Sequence, residues 1–120
     1  MRKNEYTSVE EFVSQYTGVW NPAEGHWLGL DFVYGGVEYR LQTGSMYNAE
    51  DTILEDGRLA KFGLYKKRAL SGCYIKSKEK DYELLGEYAD MNDLLKSRTI
   101  GNVPFEEVIM DENTELIGQD

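Results

Sequence analysis

One cysteine, one histidine and two prolines in 120 residues exclude several kinds of chemistry at once. Cys73 has no partner for an intrachain disulfide and no second thiolate to share a zinc ion. His26 rules out a multi-histidine metal centre, and pairing it with Glu24 would require ligands from distant positions. No run approaches the ~20 consecutive apolar residues of a membrane-spanning helix. The N-terminal MRKNEYTSVEEF lacks the apolar stretch of a signal peptide. The glycines match neither a phosphate-cradling loop nor a dinucleotide fingerprint, so no cofactor is expected. These absences predict a cytoplasmic protein in a reducing compartment, without membrane attachment and without a catalytic motif.

Present instead is charge, unevenly spread. The chain carries 22 Asp and Glu against 13 Lys and Arg, for a net −9. Arg58, Lys61, Lys66, Lys67, Arg68, Lys76, Lys78 and Lys80 stand against Glu79 alone, +7 over residues 58 to 80, while residues 81 to 120 sum to −9. An acidic total repels nucleic acid at long range, because binding there depends on neutralising phosphates. Nine tyrosines and two tryptophans add large amphipathic side chains suited to a sheet or an interface.

Local patterning predicts the elements. Val9, Phe12, Val13 and Tyr16 recur at helical spacing, with Ser8 and Glu11, or Thr7 and Glu10, at capping-box distance and Gly18 as the stop. Asn21, Pro22 and Gly25 predict a loop that carries Trp20 and Trp27 toward the body of the protein. In HWLGLDFVYGGVEYRLQTG, Gly35 and Gly36 predict a two-residue hairpin turn. That turn sets Val33 opposite Glu38, Phe32 opposite Tyr39, Asp31 opposite Arg40 and Leu30 opposite Leu41, with Leu28 on the same face as Leu30. A second turn at Asp56-Gly57 predicts Glu55 opposite Arg58 and Ile53 opposite Ala60.

The basic stretch reads as two further strands joined near residues 69 to 72. Pairing Lys67 with Tyr74, Tyr65 with Lys76 and Lys61 with Lys80 gathers Lys61, Tyr65, Lys67, Tyr74, Lys76, Lys78 and Lys80 on one face, with Phe62, Leu64, Cys73 and Ile75 on the other. Such a face resembles a platform for single-stranded nucleic acid, where rings stack on bases and Lys follows phosphates. The favoured reading is a solvated sheet face. DYELLGEY is expected as the next strand, placing Lys76 opposite Glu83, and Glu50, Asp51 and Glu55 are expected on the other flank, so that acidic strands neutralise basic ones.

In the C-terminal third, Asp90 and Asp93 predict the start of a short helix with Met91, Leu94 and Leu95 inward. Gly101-Asn102 predicts a turn. Residues 105 to 117 leave a helix, a strand or an irregular segment open: Phe105, Val108 and Ile109 have helical spacing, yet Asp111 and Glu112 would lie at the negative end of that helix.

The expected architecture is one α+β domain spanning 1–120. An N-terminal amphipathic helix packs on a largely antiparallel sheet of five or six strands, followed by a short C-terminal helical or irregular element. The expected function is a small acidic protein-binding module, in one version an inhibitor that mimics nucleic acid before a nucleic-acid-acting enzyme. Its partner is another protein with a basic surface, met by Glu106, Glu107, Asp111, Glu112 and Glu115. The alternatives are nucleic-acid binding through the Lys and Tyr face and an enzyme using an unrecognised carboxylate site.

Overall fold

The computed structural model describes residues 2–3, 6–16, 21–43, 53–67 and 82–119. Helix α1 (Val9–Ser14) begins at Ser8, whose hydroxyl accepts the Glu11 N–H at 3.2 Å. The reciprocal half of the capping box goes one residue further back: the Glu11 carboxylate accepts the Thr7 N–H at 3.0 Å and the Thr7 hydroxyl at 2.6 Å. These bonds, the hydroxyl first, hold Glu11 below the usual carboxylate range. The helix ends at Ser14, short of Gly18, because Gln15 is engaged elsewhere. Its carbonyl accepts the Trp27 N–H at 2.7 Å, and its side-chain oxygen accepts the Tyr6 hydroxyl at 3.0 Å and the Gln119 amide at 2.8 Å.

Strands β2 (Gly29–Tyr34) and β3 (Val37–Thr43) form the expected hairpin, residue for residue from Leu30↔Leu41 to Val33↔Glu38. Gly35 and Gly36 both hold positive φ, 60° and 77°, which a side chain would resist. Turn chemistry thus sets which face of each strand is apolar, and Leu30, Phe32, Tyr39 and Leu41 are buried together.

The second hairpin keeps its turn and shifts its register. Ile53 bridges Leu59, where a two-residue turn would place Ala60. The Leu54 N–H reaches the Arg58 carbonyl at 2.8 Å, and the Gly57 N–H returns to the Leu54 carbonyl at 2.9 Å. The loop therefore holds three residues and ends in Gly57 at φ 85°, a left-handed bulge that inserts one position.

Strand β4 (Phe62–Lys67) lies between β3 and β5 (Tyr82–Tyr88). Tyr65 has Arg40 on one side and Leu84 on the other, which leaves no edge for the expected Tyr65–Lys76 pairing. Lys67 faces Tyr82 instead of Tyr74, and the Lys61 N–H donates to the Tyr88 carbonyl at 2.8 Å, in place of a Lys61–Lys80 pair. Glu83 stands opposite Lys66, not Lys76. The other flank of β4 is β3, not a strand carrying Glu50, Asp51 and Glu55. Glu50 and Asp51, like Trp20, Gly18, Cys73 and Ile75, lie outside the described residues.

Helix α2 (Met91–Lys96) starts as its sequence predicts, with the Asp90 carboxylate accepting the Asp93 N–H at 2.8 Å and Leu94 fully buried. Gly101 and Asn102 turn the chain with φ 60° and 57°. Residues 105 to 117 resolve into two elements, helix α3 (Phe105–Met110) and strand β6 (Glu115–Gln119). The helix stops before its carboxylates meet the negative end: Asp111 is extended and its side chain accepts the Asn113 N–H at 2.8 Å. The buried Thr114 hydroxyl then donates to the Val108 carbonyl at 2.6 Å, satisfying one of the last helical acceptors.

With β1 (Arg2–Lys3), the strands form a six-stranded sheet in the order β1-β6-β2-β3-β4-β5, antiparallel at every junction. Antiparallel strands with three short helices among the described residues make this an α+β fold. Phe105 joins the layers, with its ring centroid 5.9 Å from Phe12 of α1 and 6.0 Å from Phe32 of β2.

Candidate functional site

The sheet face opposite this aromatic core carries two cross-strand charge pairs. Asp31 and Arg40, cross-strand partners on β2 and β3, meet at 3.0 Å. The Arg40 guanidinium also donates to the Gln42 side chain at 2.9 and 2.7 Å. Arg40 is only 12% exposed, so these partners offset much of the cost of withdrawing its charge from water. Lys67 at the end of β4 contacts Glu38 of β3 at 2.9 Å. The hydrogen bond that Lys67 donates to Glu38, and then the Glu38 charge, raise the Lys67 pKa above the usual lysine value. Tyr82, opposite Lys67 on β5, is raised above the usual phenol value mainly by burial and next by the Asp31 charge.

This geometry bears on three residues of the Lys and Tyr platform, Lys61, Tyr65 and Lys67. Tyr65 is 1% exposed, and its ring lies across Gly63 on the same strand. A stacking platform needs a free ring face, which Tyr65 does not offer. Lys61 and Lys67 are exposed, but Lys67 is held by Glu38. Tyr74, Lys76, Lys78 and Lys80 lie outside the described residues. Around β4, acidic neighbours come from Glu38 of β3 and from Glu83 of β5, opposite Lys66, and not from the flank expected to carry them.

The acidic set of the C-terminal third is dispersed over three settings. Glu106 and Glu107 occupy the first turn of α3, beside the buried stripe of Phe105, Val108 and Ile109. The positive end of the helix favours negative charge there. Glu112 is exposed in the turn that follows, while Asp111 serves that turn as an acceptor for Asn113. Glu115 belongs to β6, opposite Val33 on one side and Lys3 on the other, so a basic strand does neighbour part of the acidic run. Among the described residues, Glu106, Glu107, Glu112 and Glu115 make no ion pair.

A further cluster is not legible in the sequence. Arg58, from the hairpin after Ile53, contacts Asp56 at 2.7 Å, Asp90 at 3.3 Å and Asp93 at 2.7 Å. The hydrogen bonds of Asp56 and then Asp93 raise the Arg58 pKa further. Asp56 is held below the usual carboxylate range, first by the Arg58 backbone N–H and next by its side chain. Asp90 and Asp93 carry only a helix-capping signal locally. Their link to Arg58 spans 32 and 35 positions, beyond any local pattern.

Metal chemistry finds no donor set of three or more His, Cys, Asp or Glu among the described residues. His26 Nδ1 lies 3.8 Å from Glu24 in the loop closed by the Asn21–His26 bridge. No described helix is long and apolar enough to cross a membrane. No family model matches the chain, and no curated protein or solved structure matches it at a significant level.

Proposed function

We propose that this protein is a cytoplasmic protein-binding module that docks on a basic partner through the acidic surface of its C-terminal third. The observation that supports this reading is the contrast between two sets of charges. Arg40, Arg58 and Lys67 are each held by carboxylates of the fold, whereas Glu106, Glu107, Glu112 and Glu115 make no ion pair among the described residues. Uncompensated surface charge acts at long range and raises the rate of encounter with an opposite surface. A partner that itself acts on nucleic acid would meet carboxylates where it otherwise meets phosphates.

The test begins with capture of partners from a nuclease-treated lysate, followed by stopped-flow association of the purified pair at low and high salt. The triple variant Glu106→Lys, Glu107→Lys, Glu112→Lys leaves Asp111 in its turn and should fold. Its association rate should fall by about tenfold or more, with a flatter salt dependence and a dissociation rate that changes less. An unchanged association rate and salt slope would make these carboxylates a solubilising surface only.

A further inference from the structure

Four large apolar side chains are exposed among the described residues: Ile53, Leu59, Leu84 and Ile117. Leu84 and Ile117 stand apart on β5 and β6, separated by three strands. Ile53 and Leu59 are different, because the antiparallel bridge between them makes them direct neighbours across a hairpin. They are 63% and 39% exposed, although an apolar pair at a loop tip gains nothing from facing water. The hairpin is also anchored. Arg58, next to Leu59, ties it to Asp90 and Asp93 at the start of α2, so the pair is presented on a held element. Among the described residues near it, the carboxylates Glu55, Asp56, Asp90 and Asp93 outnumber the cations Arg58 and Lys61, and Arg58 contacts three of them.

We infer that Ile53 and Leu59 form the apolar anchor of a docking surface for a basic amphipathic helix of a partner protein. A narrow apolar ridge bordered by carboxylates complements a helix whose apolar stripe is bordered by Lys or Arg. The charges guide the approach and the two aliphatic side chains lengthen the lifetime of the complex, since area removed from water is lost only on dissociation. This inference rests on the acidic docking proposed above and adds the site at which contact becomes specific.

Two synthetic probes separate the claims: an amphipathic helix of Leu and Lys, and an oligolysine of equal charge. Calorimetry gives their affinities, and amide chemical shifts give their location. The Leu and Lys helix should bind more tightly than oligolysine and shift the amides of Ile53, Leu54 and Leu59. The double variant Ile53→Ser, Leu59→Ser changes only exposed side chains, and circular dichroism should confirm its fold. It should weaken the Leu and Lys helix about tenfold while leaving oligolysine unaffected. Equal affinity of wild type and double variant for the helix overturns the anchor. If oligolysine binding still falls in the Glu106, Glu107, Glu112 triple variant, the acidic docking stands without it. Failure of both probes to bind overturns both.

Discussion

The Tyr65 ring lies across the α-carbon of Gly63, so close that a β-carbon on Gly63 would stand 2.8 Å from the ring edge. Tyr65 is fully enclosed and cannot swing away, so Gly63→Ala should destabilise the fold by about 1–3 kcal/mol through overpacking. Gly118 is the control: it is a strand glycine with nothing near the corresponding position, and Gly118→Ala should be neutral or stabilise by up to about 1 kcal/mol. Urea denaturation of the two variants checks both, and equal effects would remove the special role of the Gly63–Tyr65 contact.

Burial of Tyr65 and the Lys67–Glu38 pair also bear on nucleic acid. The protein should show no appreciable binding of single-stranded or duplex oligonucleotides at physiological salt. Fluorescence titration at two salt concentrations measures this. Micromolar binding with a steep salt slope, reduced by Lys61→Glu, would restore a nucleic-acid face.

Arg58 should control the titration of Asp56. In Arg58→Ala the Asp56 pKa should rise toward the ordinary carboxylate value, because the guanidinium bond is lost while the backbone bond persists. The sign for stability follows from the lowered folded-state value. The contribution is complete above the unfolded carboxylate range and is lost as pH falls through the folded value. Carbon-13 titration of the Asp56 carboxyl reads the first effect. Faster amide exchange at Leu54 and Gly57 in the variant reads the loosening of the hairpin. An unmoved Asp56 would show that the side-chain bond does not persist in solution.

Thr114 tests how the chain leaves α3 for β6. Thr114→Val keeps the shape and removes the hydroxyl that donates to the Val108 carbonyl at 2.6 Å, leaving that acceptor only the longer bond from the Asp111 N–H at 3.4 Å. The expected cost is about 1–3 kcal/mol, read as a lower urea midpoint with an unchanged slope. No change in midpoint would mean that water takes over the hydroxyl's role.

His26 is expected to be dispensable. Among the described residues it has only Glu24, at 3.8 Å, as an ionic neighbour. His26→Ala should leave partner association within a few-fold of wild type, and its abolition in a folded variant would reveal a site in the Asn21–His26 loop.

What the sequence determined by itself is whatever short-range chemistry controls. Gly35-Gly36 permits one turn, and that turn fixes every cross-strand pair of β2 and β3 because side chains alternate with period two. Ser8 and Asp90 start their helices from within a few residues, and the stripes holding Phe12 and Leu94 follow from helical spacing. At Asp56-Gly57 the sequence specified a turn but left the loop length open, since a two-residue and a three-residue loop both accommodate a glycine there. Tertiary structure decided which strands become neighbours. β4 could pair on alternation alone with residues 73–80, yet it lies between β3 and β5, and that choice encloses Tyr65 and sets Lys67 beside Glu38. β6 enters the sheet between β1 and β2, bringing together residues more than a hundred positions apart, as in the Gln119 bond to Gln15. Arg58 likewise finds Asp90 and Asp93 only after the sheet has brought β5 and α2 to its hairpin. Alternation and charge are compatible with many partners, and the choice among them is made where the apolar faces of distant segments must share one core.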